Sequence, residues 1–108
     1  MAWIITYYSD KVFQSILDLP TKMRARYAAL ADTMIERGPD LGMPHTRAMG
    51  GSLFEMRIKA KEGIARVFYC VQIGQEIVML HSFIKKTQET PHKELETAKK
   101  RLREIKNG

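Results

Sequence analysis

A single cysteine in 108 residues leaves no internal disulfide possible. Cys70 lies in the run Val67-Phe68-Tyr69-Cys70-Val71 and reads as a reduced core residue, which fits a cytoplasmic setting. Long apolar runs are equally scarce, and none approaches the ~20 residues that span a bilayer. The opening residues Met1 to Tyr8 lack a basic stretch and a small-residue cleavage site, so they do not read as a signal peptide. There is no Gly-rich phosphate loop, no Gly-x-Ser-x-Gly, and no zinc-finger or RNP-type aromatic motif. His45, His81, His92 and Cys70 do not have metal-ligand spacing. Internal repeats, low-complexity tracts and long linkers are missing too. One domain over 1–108 is expected, large enough to bury roughly two-thirds of its unfolded surface.

What the chain does have is positive charge. It carries 18 Lys/Arg against 12 Asp/Glu, a net +6. Residues 1–54 hold six Lys/Arg and five Asp/Glu, whereas residues 55–108 hold twelve and seven. The excess therefore sits in the second half, where a polyanion would dock. Charge alone still allows nucleic acid, a membrane surface or an acidic protein.

Periodicity supplies the elements. Trp3 to Tyr8 is β-branched and aromatic, and alternates as a strand does. Ser9 has the place of an N-cap, followed by Val12, Phe13, Ile16 and Leu17 at helical spacing. Pro20 is expected in the first turn of a second helix, whose face is Met23, Tyr27, Leu30 and Met34 and whose stop is Gly38-Pro39. Residues 38–52 hold four glycines and two prolines and read as a long loop. Three strands follow, Leu53–Lys59, Ile64–Val71 and Glu76–Lys85, joined by short glycine-containing turns. Thr90-Pro91 opens a last helix with the face Leu95, Ala98, Leu102 and Ile105. The order β-α-α-β-β-β-α argues an α+β fold, with helices packed on one face of a mostly antiparallel sheet.

Several side chains stand out against that frame. Arg66 interrupts an otherwise apolar strand, and a buried arginine must be paired or reach solvent. Glu55 is a candidate partner. Glu55, Arg57 and Lys59 alternate with Phe54, Met56 and Ile58, either as a solvated face or as part of a site. Lys85 and Lys86 leave the third strand on different sides, so one of them can aim at a site shared with Arg57 and Arg66. Convergent cations suit a phosphate, and arginine binds one bidentately. They also suit the extra charge of a pentacovalent transition state. His92 is the one histidine expected beside this basic end, where a proton can move near neutral pH. His81 falls in alternation with Ile77, Met79 and Phe83 and reads as a satisfied, half-buried histidine. His45 lies in the long loop. The cations of the last helix, Lys99, Lys100, Arg101, Arg103 and Lys106, read as its solvated face.

The second half also resembles a known family. Leu53-Phe54-Glu55-Met56-Arg57, Gly63-Ile64-Ala65-Arg66-Val67-Phe68-Tyr69, the stretch Leu80 to Gln88, and Pro91, Glu94 and Ala98 are similar to the RelE/HigB toxins, in particular a phage-derived HigB-like branch. The resemblance implies a RelE-like fold and the toxin of a type II toxin–antitoxin pair. It implies a ribosome-dependent mRNA endonuclease that uses no metal or cofactor, in which the ribose 2′-hydroxyl attacks the adjacent phosphodiester. Its expected partners are a cognate helix-turn-helix antitoxin and mRNA on the ribosome, with operator DNA met only through the antitoxin complex and no membrane. Carried onto this sequence, Arg66 matches the sheet arginine at the scissile phosphate and Lys85 or Lys86 a further cation; His92 is the nearest occupant of the C-terminal proton-transfer position, and Glu55 either orients Arg66 or serves as a base. Arg57, Lys59, Tyr69 and Phe83 are the expected substrate-binding residues. The chain departs from the family in having no tyrosine after Tyr69. Two rivals remain: a toxin of the same fold that binds DNA gyrase, as ParE relatives do, and a non-catalytic antitoxin/DNA-complex module.

Overall fold

A computed structural model describes residues 2–85 and 91–108. Its elements are β1 (Ile4–Tyr7), α1 (Asp10–Leu17), α2 (Thr21–Arg37), β2 (Thr46–Gly50), β3 (Leu53–Ala60), β4 (Gly63–Gln72), β5 (Glu76–Lys85) and α3 (His92–Asn107). The five strands form one sheet in the order β1-β5-β4-β3-β2. Among the described residues β1 runs parallel to its neighbour, and the other pairings are antiparallel. The α+β reading and the β3-β4-β5 meander hold.

Local chemistry sets the boundaries. Ser9 is the N-cap of α1, its hydroxyl accepting from the Val12 N–H at 3.3 Å. α2 ends at Gly38, whose φ of 102° strains any other residue and where a Cβ would crowd the Trp3 indole at 3.3 Å. Pro20 and Pro91 both fall one residue earlier than a first-turn proline, at the N-cap, with extended backbone. Thr90 lies outside the described residues.

Two expectations are corrected. The 38–52 segment is not all loop, because Thr46–Gly50 forms β2 along the outer edge of β3. Thr46 anchors it: fully buried, its hydroxyl accepts from the Leu41 and Gly42 N–H groups, both at 2.9 Å. The helices, moreover, do not share one face. α1 and α2 bury Val12, Ile16, Met23, Tyr27 and Met34 against Met56, Ile58, Val67, Tyr69 and Met79. On the opposite face α3 lays Ala98 and Leu102 over Leu53, Phe68, Cys70, Val78 and Leu80. The meander is apolar on both sides through its middle, as a sheet covered twice must be.

A bulge in β5 decides what each face carries. Tyr69 pairs with Met79 but Phe68 pairs with His81, leaving Leu80 as the extra residue. Up to that point Ile77 and Met79 face α1 and α2. Beyond it His81 and Phe83 face α3, so the expected alternation of His81 with Ile77 and Met79 is broken. Ser82 now meets α1, its hydroxyl 2.6 Å from that of Ser15.

Cys70 is wholly buried, and burial pushes its thiol up to about 11, with Lys106 pulling it down and Glu76 adding to the rise. Reactivity follows the thiolate. Iodoacetamide at pH 8 should therefore label native protein about 100-fold more slowly than unfolded protein. Equal rates, read by mass spectrometry, would place the thiol at the surface.

Candidate functional site

Cross-strand partners in a sheet point to the same face. The registers therefore assemble three rows on the α3 side of the meander. The first is Arg47, Glu55, Phe68 and His81; the second Arg57, Arg66 and Phe83; the third Lys59, Ile64 and Lys85. Glu55, Arg57 and Lys59 alternate down β3, and the bulge in β5 brings His81, Phe83 and Lys85 into phase with them. Without β2, Arg47 would have no place in the first row.

The centre is a buried ion pair. Arg66 Nη1 donates to Glu55 Oε1 at 2.5 Å, with the two residues 2 % and 0 % exposed. Arg47 Nη2 reaches the same oxygen at 3.3 Å from a half-exposed position. Arg57 is half-buried, and its Nε is buried without a hydrogen-bond partner among the described residues. Lys85 is buried at the end of the third row. Burial lowers the Arg66 guanidinium below its ordinary range, Glu55 works against that, and Arg57 and Arg47 add to it. Lys85 is lowered by burial and then by Arg66. Among the described residues, then, four cations gather around one carboxylate. This arrangement sets up a positive field in a low-dielectric surface, where it acts on an incoming anion with little screening.

Beside the cations lies an aromatic ladder. Phe83 stacks between Phe68 and His81, each at a centroid distance of 5.8 Å. His81 is held from α3, with Nε2 3.0 Å from Glu94 Oε1 and Nδ1 3.4 Å from Arg101. Arg101 also donates to the Leu80 carbonyl at 2.8 Å and lies over the Tyr8 ring. These contacts tie α3 to the sheet through polar side chains as well as through its apolar stripe.

The expected site residues divide accordingly. Glu55, Arg57, Lys59, Arg66, Phe83 and Lys85 are brought to one face. Lys86 lies outside the described residues. His92 stands on the first turn of α3, its side chain 85 % exposed and, among the described residues, paired with Glu96 at 3.6 Å. Tyr69 is on the opposite face, buried against α2, with its hydroxyl donating to the Pro39 carbonyl at 2.5 Å and its ring stacked on Phe54. Its hydroxyl is already used, and burial raises it further from ionisation. Arg47 joins the first row without having been expected there, and His81, read from the sequence as a satisfied, half-buried histidine, is that, held by Glu94 and Arg101 on the same face. The alternation Thr46-x-Ala48 inside a glycine-rich stretch was the available sign of a strand; a bulge leaves no such sign. Among the described residues no three His, Cys, Asp or Glu side chains gather as a metal site.

Comparison with known proteins follows the same lines. The family model described as phage-derived protein Gp49-like matches residues 14–103. Among solved structures the chain is similar to a mutant of the E. coli toxin RelE in the free state, at 16% identity and a TM-score of 0.60, covering 94% of this chain and 99% of that one. It is also similar to the archaeal RelE–RelB complex from Pyrococcus horikoshii OT3, at 20% identity and a TM-score of 0.57, covering 78% of this chain and 96% of the matched one. No curated protein gives a significant match. The chain belongs to the phage-derived Gp49-like family and has the RelE-like toxin fold.

Proposed function

We propose that this protein is the toxin of a toxin–antitoxin pair and an RNA endonuclease that cleaves mRNA on the ribosome. The observation that carries the reading is the group of cations, Arg47, Arg57, Arg66 and Lys85, spread over three adjoining rows of one sheet face beside stacked Phe83 and Phe68. Cations that bind phosphate next to a ring that stacks a base are what single-stranded RNA asks of a protein. In the reaction the 2′-oxygen bonds to phosphorus, the bond to the 5′-oxygen breaks, and a 2′,3′-cyclic phosphate and a 5′-hydroxyl form. The 2′-OH loses a proton and the leaving oxygen gains one, so no protein nucleophile is involved.

Arg57 and Arg47, the accessible members, meet the phosphate. Arg66 and Lys85 act from beneath, stabilising the charge that grows on its oxygens. Lys86 is the alternative further cation, Lys59 extends the field along the strand, and Glu55 fixes the two arginines it binds. His92 is the proposed proton carrier. Replacing His92 with glutamine should lower single-turnover cleavage about 100-fold. Unchanged cleavage in that variant, with loss in the His81→Gln variant, would move the role to His81.

A protein partner follows from the same face. The archaeal relative is seen as a RelE–RelB complex, and a surface this basic calls for an antitoxin that silences it. In this branch the expected antitoxin is a helix-turn-helix protein, with operator DNA bound through the complex, all in the cytoplasm and without a membrane. Inducing the chain and mapping mRNA 5′ ends tests the reading. Codon-phased cuts on translated messages are expected. DNA damage with intact messages would point to gyrase and overturn it.

A further inference from the structure

A second concave site lies around the corner from the cation rows. β2 pairs with β3 only as far as Met56, so β3 runs on past the end of β2 to Ala60. A cavity of about 340 Å³ opens at this free edge, between α2, the turn before β2 and the β3–β4 hairpin. Its charged lining is entirely basic: Arg26 from α2, Arg57 and Lys59 from β3, with His45 beside them. Leu30, Pro44 and Ile58 contribute apolar surface.

The walls are firmly built. The Arg57 N–H donates to the His45 carbonyl at 2.8 Å, while buried Thr46 holds the turn through Leu41 and Gly42. Because strand residues alternate, Lys59 turns its own N–H and C=O toward the same open edge, where no strand pairs with them among the described residues. Cations, an apolar surface and a bare strand edge match three features of a nucleotide: its phosphate, the face of its base and the hydrogen-bonding edge of its base. The volume lies near the lower end of small-ligand sites, about 300–1,000 Å³, which fits one nucleotide and not several.

Position gives the source of that nucleotide. Arg57 lines this cavity and also acts electrostatically on Arg66 and Lys85, so the pocket adjoins the proposed phosphate site. We infer that the α2–β3 edge cavity holds one nucleotide of the same RNA strand, next to the phosphate that is cut. This inference rests on the endonuclease reading for the strand, and on the cavity alone for the nucleotide.

Two variants outside the cation rows test it, Arg26→Ala, which removes a charge, and Ala29→Trp, which fills the cavity from an exposed helix position. Binding of adenosine 5′-monophosphate to the purified protein is followed by amide chemical shifts, beside adenosine and inorganic phosphate as separate probes. The mononucleotide should bind more tightly than either part, with shifts at Ala29, His45 and Lys59, and each variant should weaken it about 10-fold, the effect of losing one good contact. Each variant should also lower cleavage on the ribosome and change which codons are cut. An undisturbed amide spectrum elsewhere shows that the variant is folded. No binding of the mononucleotide overturns the pocket. Binding that the variants lose while cleavage stays unchanged overturns the RNA source and leaves a site for free nucleotides. Binding lost in the variants of a protein that cuts no message keeps the pocket and removes the endonuclease reading.

Discussion

Arg66→Ala is expected to cost about 3–5 kcal/mol of stability, because it takes from a wholly buried Glu55 the guanidinium that donates to it at 2.5 Å. The loss is a large share of the roughly 5–15 kcal/mol that holds a domain together. A non-toxic Arg66→Ala protein would thus say little about catalysis. The informative variant replaces both partners, Glu55→Leu with Arg66→Met. Removing the pair removes the cost of dehydrating two charges, so urea unfolding should return to within about 1–2 kcal/mol of the parent protein. That protein should remain folded and fail to arrest growth. A stable double variant with full toxicity would show that the pair serves the fold alone. A single variant with an unchanged urea midpoint would show that Glu55 draws its stability from its other partners, Arg47 among them.

Arg57→Ala is the opposite case, a large effect on activity and a small one on stability. Arg57 is half-buried, its Nε meets no hydrogen-bond acceptor among the described residues, and its neighbours across the strands are Arg66 and Phe83. Removing it relieves like-charge crowding, so the unfolding midpoint should move by no more than about 0.5 kcal/mol in either direction. Cleavage should fall by about 10²–10³, the usual effect of deleting one fixed donor from charge that develops in a transition state. Arg57→Lys keeps the charge without the planar fork and should recover only part of the rate. Single-turnover cleavage on loaded ribosomes measures both. An Arg57→Ala enzyme of normal rate would exclude this arginine from the phosphate.

The two arginines show how far the sequence was legible. An arginine inside Ile64-Ala65-Arg66-Val67-Phe68 announced a buried charge, and alternation on β3 supplied Glu55 as its partner; the hydrogen bond bears this out. Strand order in the meander also followed from short glycine turns, and the α1 cap from Ser9. Those signals are local. What failed was not local. The separation of α3 from α1 and α2 depends on both faces of the sheet being apolar in the middle, which alternation in one strand does not reveal. β2 is short, polar and held by one threonine hydroxyl, so composition read it as loop. Tyr69 looked accessible because its neighbours in sequence carry the site, yet period two puts it on the other side of Arg66's near neighbour Phe68. His92 stands close in sequence to the basic strand end, and the bulge adds His81 on the face that carries the cations.

The extra residue at Leu80 gives β5 two phases in one strand. Its first half shares the packing of α1 and α2, and its second half presents Phe83 and Lys85 to the other side of the sheet. Deleting Leu80 itself would leave Met79 with Tyr69 and His81 with Phe68 in a regular ladder, whereas deleting Ser82, past the bulge, would do something larger: Phe83 and Lys85 would turn toward α1, and Ile84 toward α3. A lysine would then face an aliphatic layer, and the cation rows would lose a member with every other residue unchanged. Length in this strand thus carries information of its own, separate from the identity of any residue. Single-residue gaps past the bulge among Gp49-like chains should be far rarer than substitutions, because a substitution alters one side chain while a gap exchanges the two sides of the sheet.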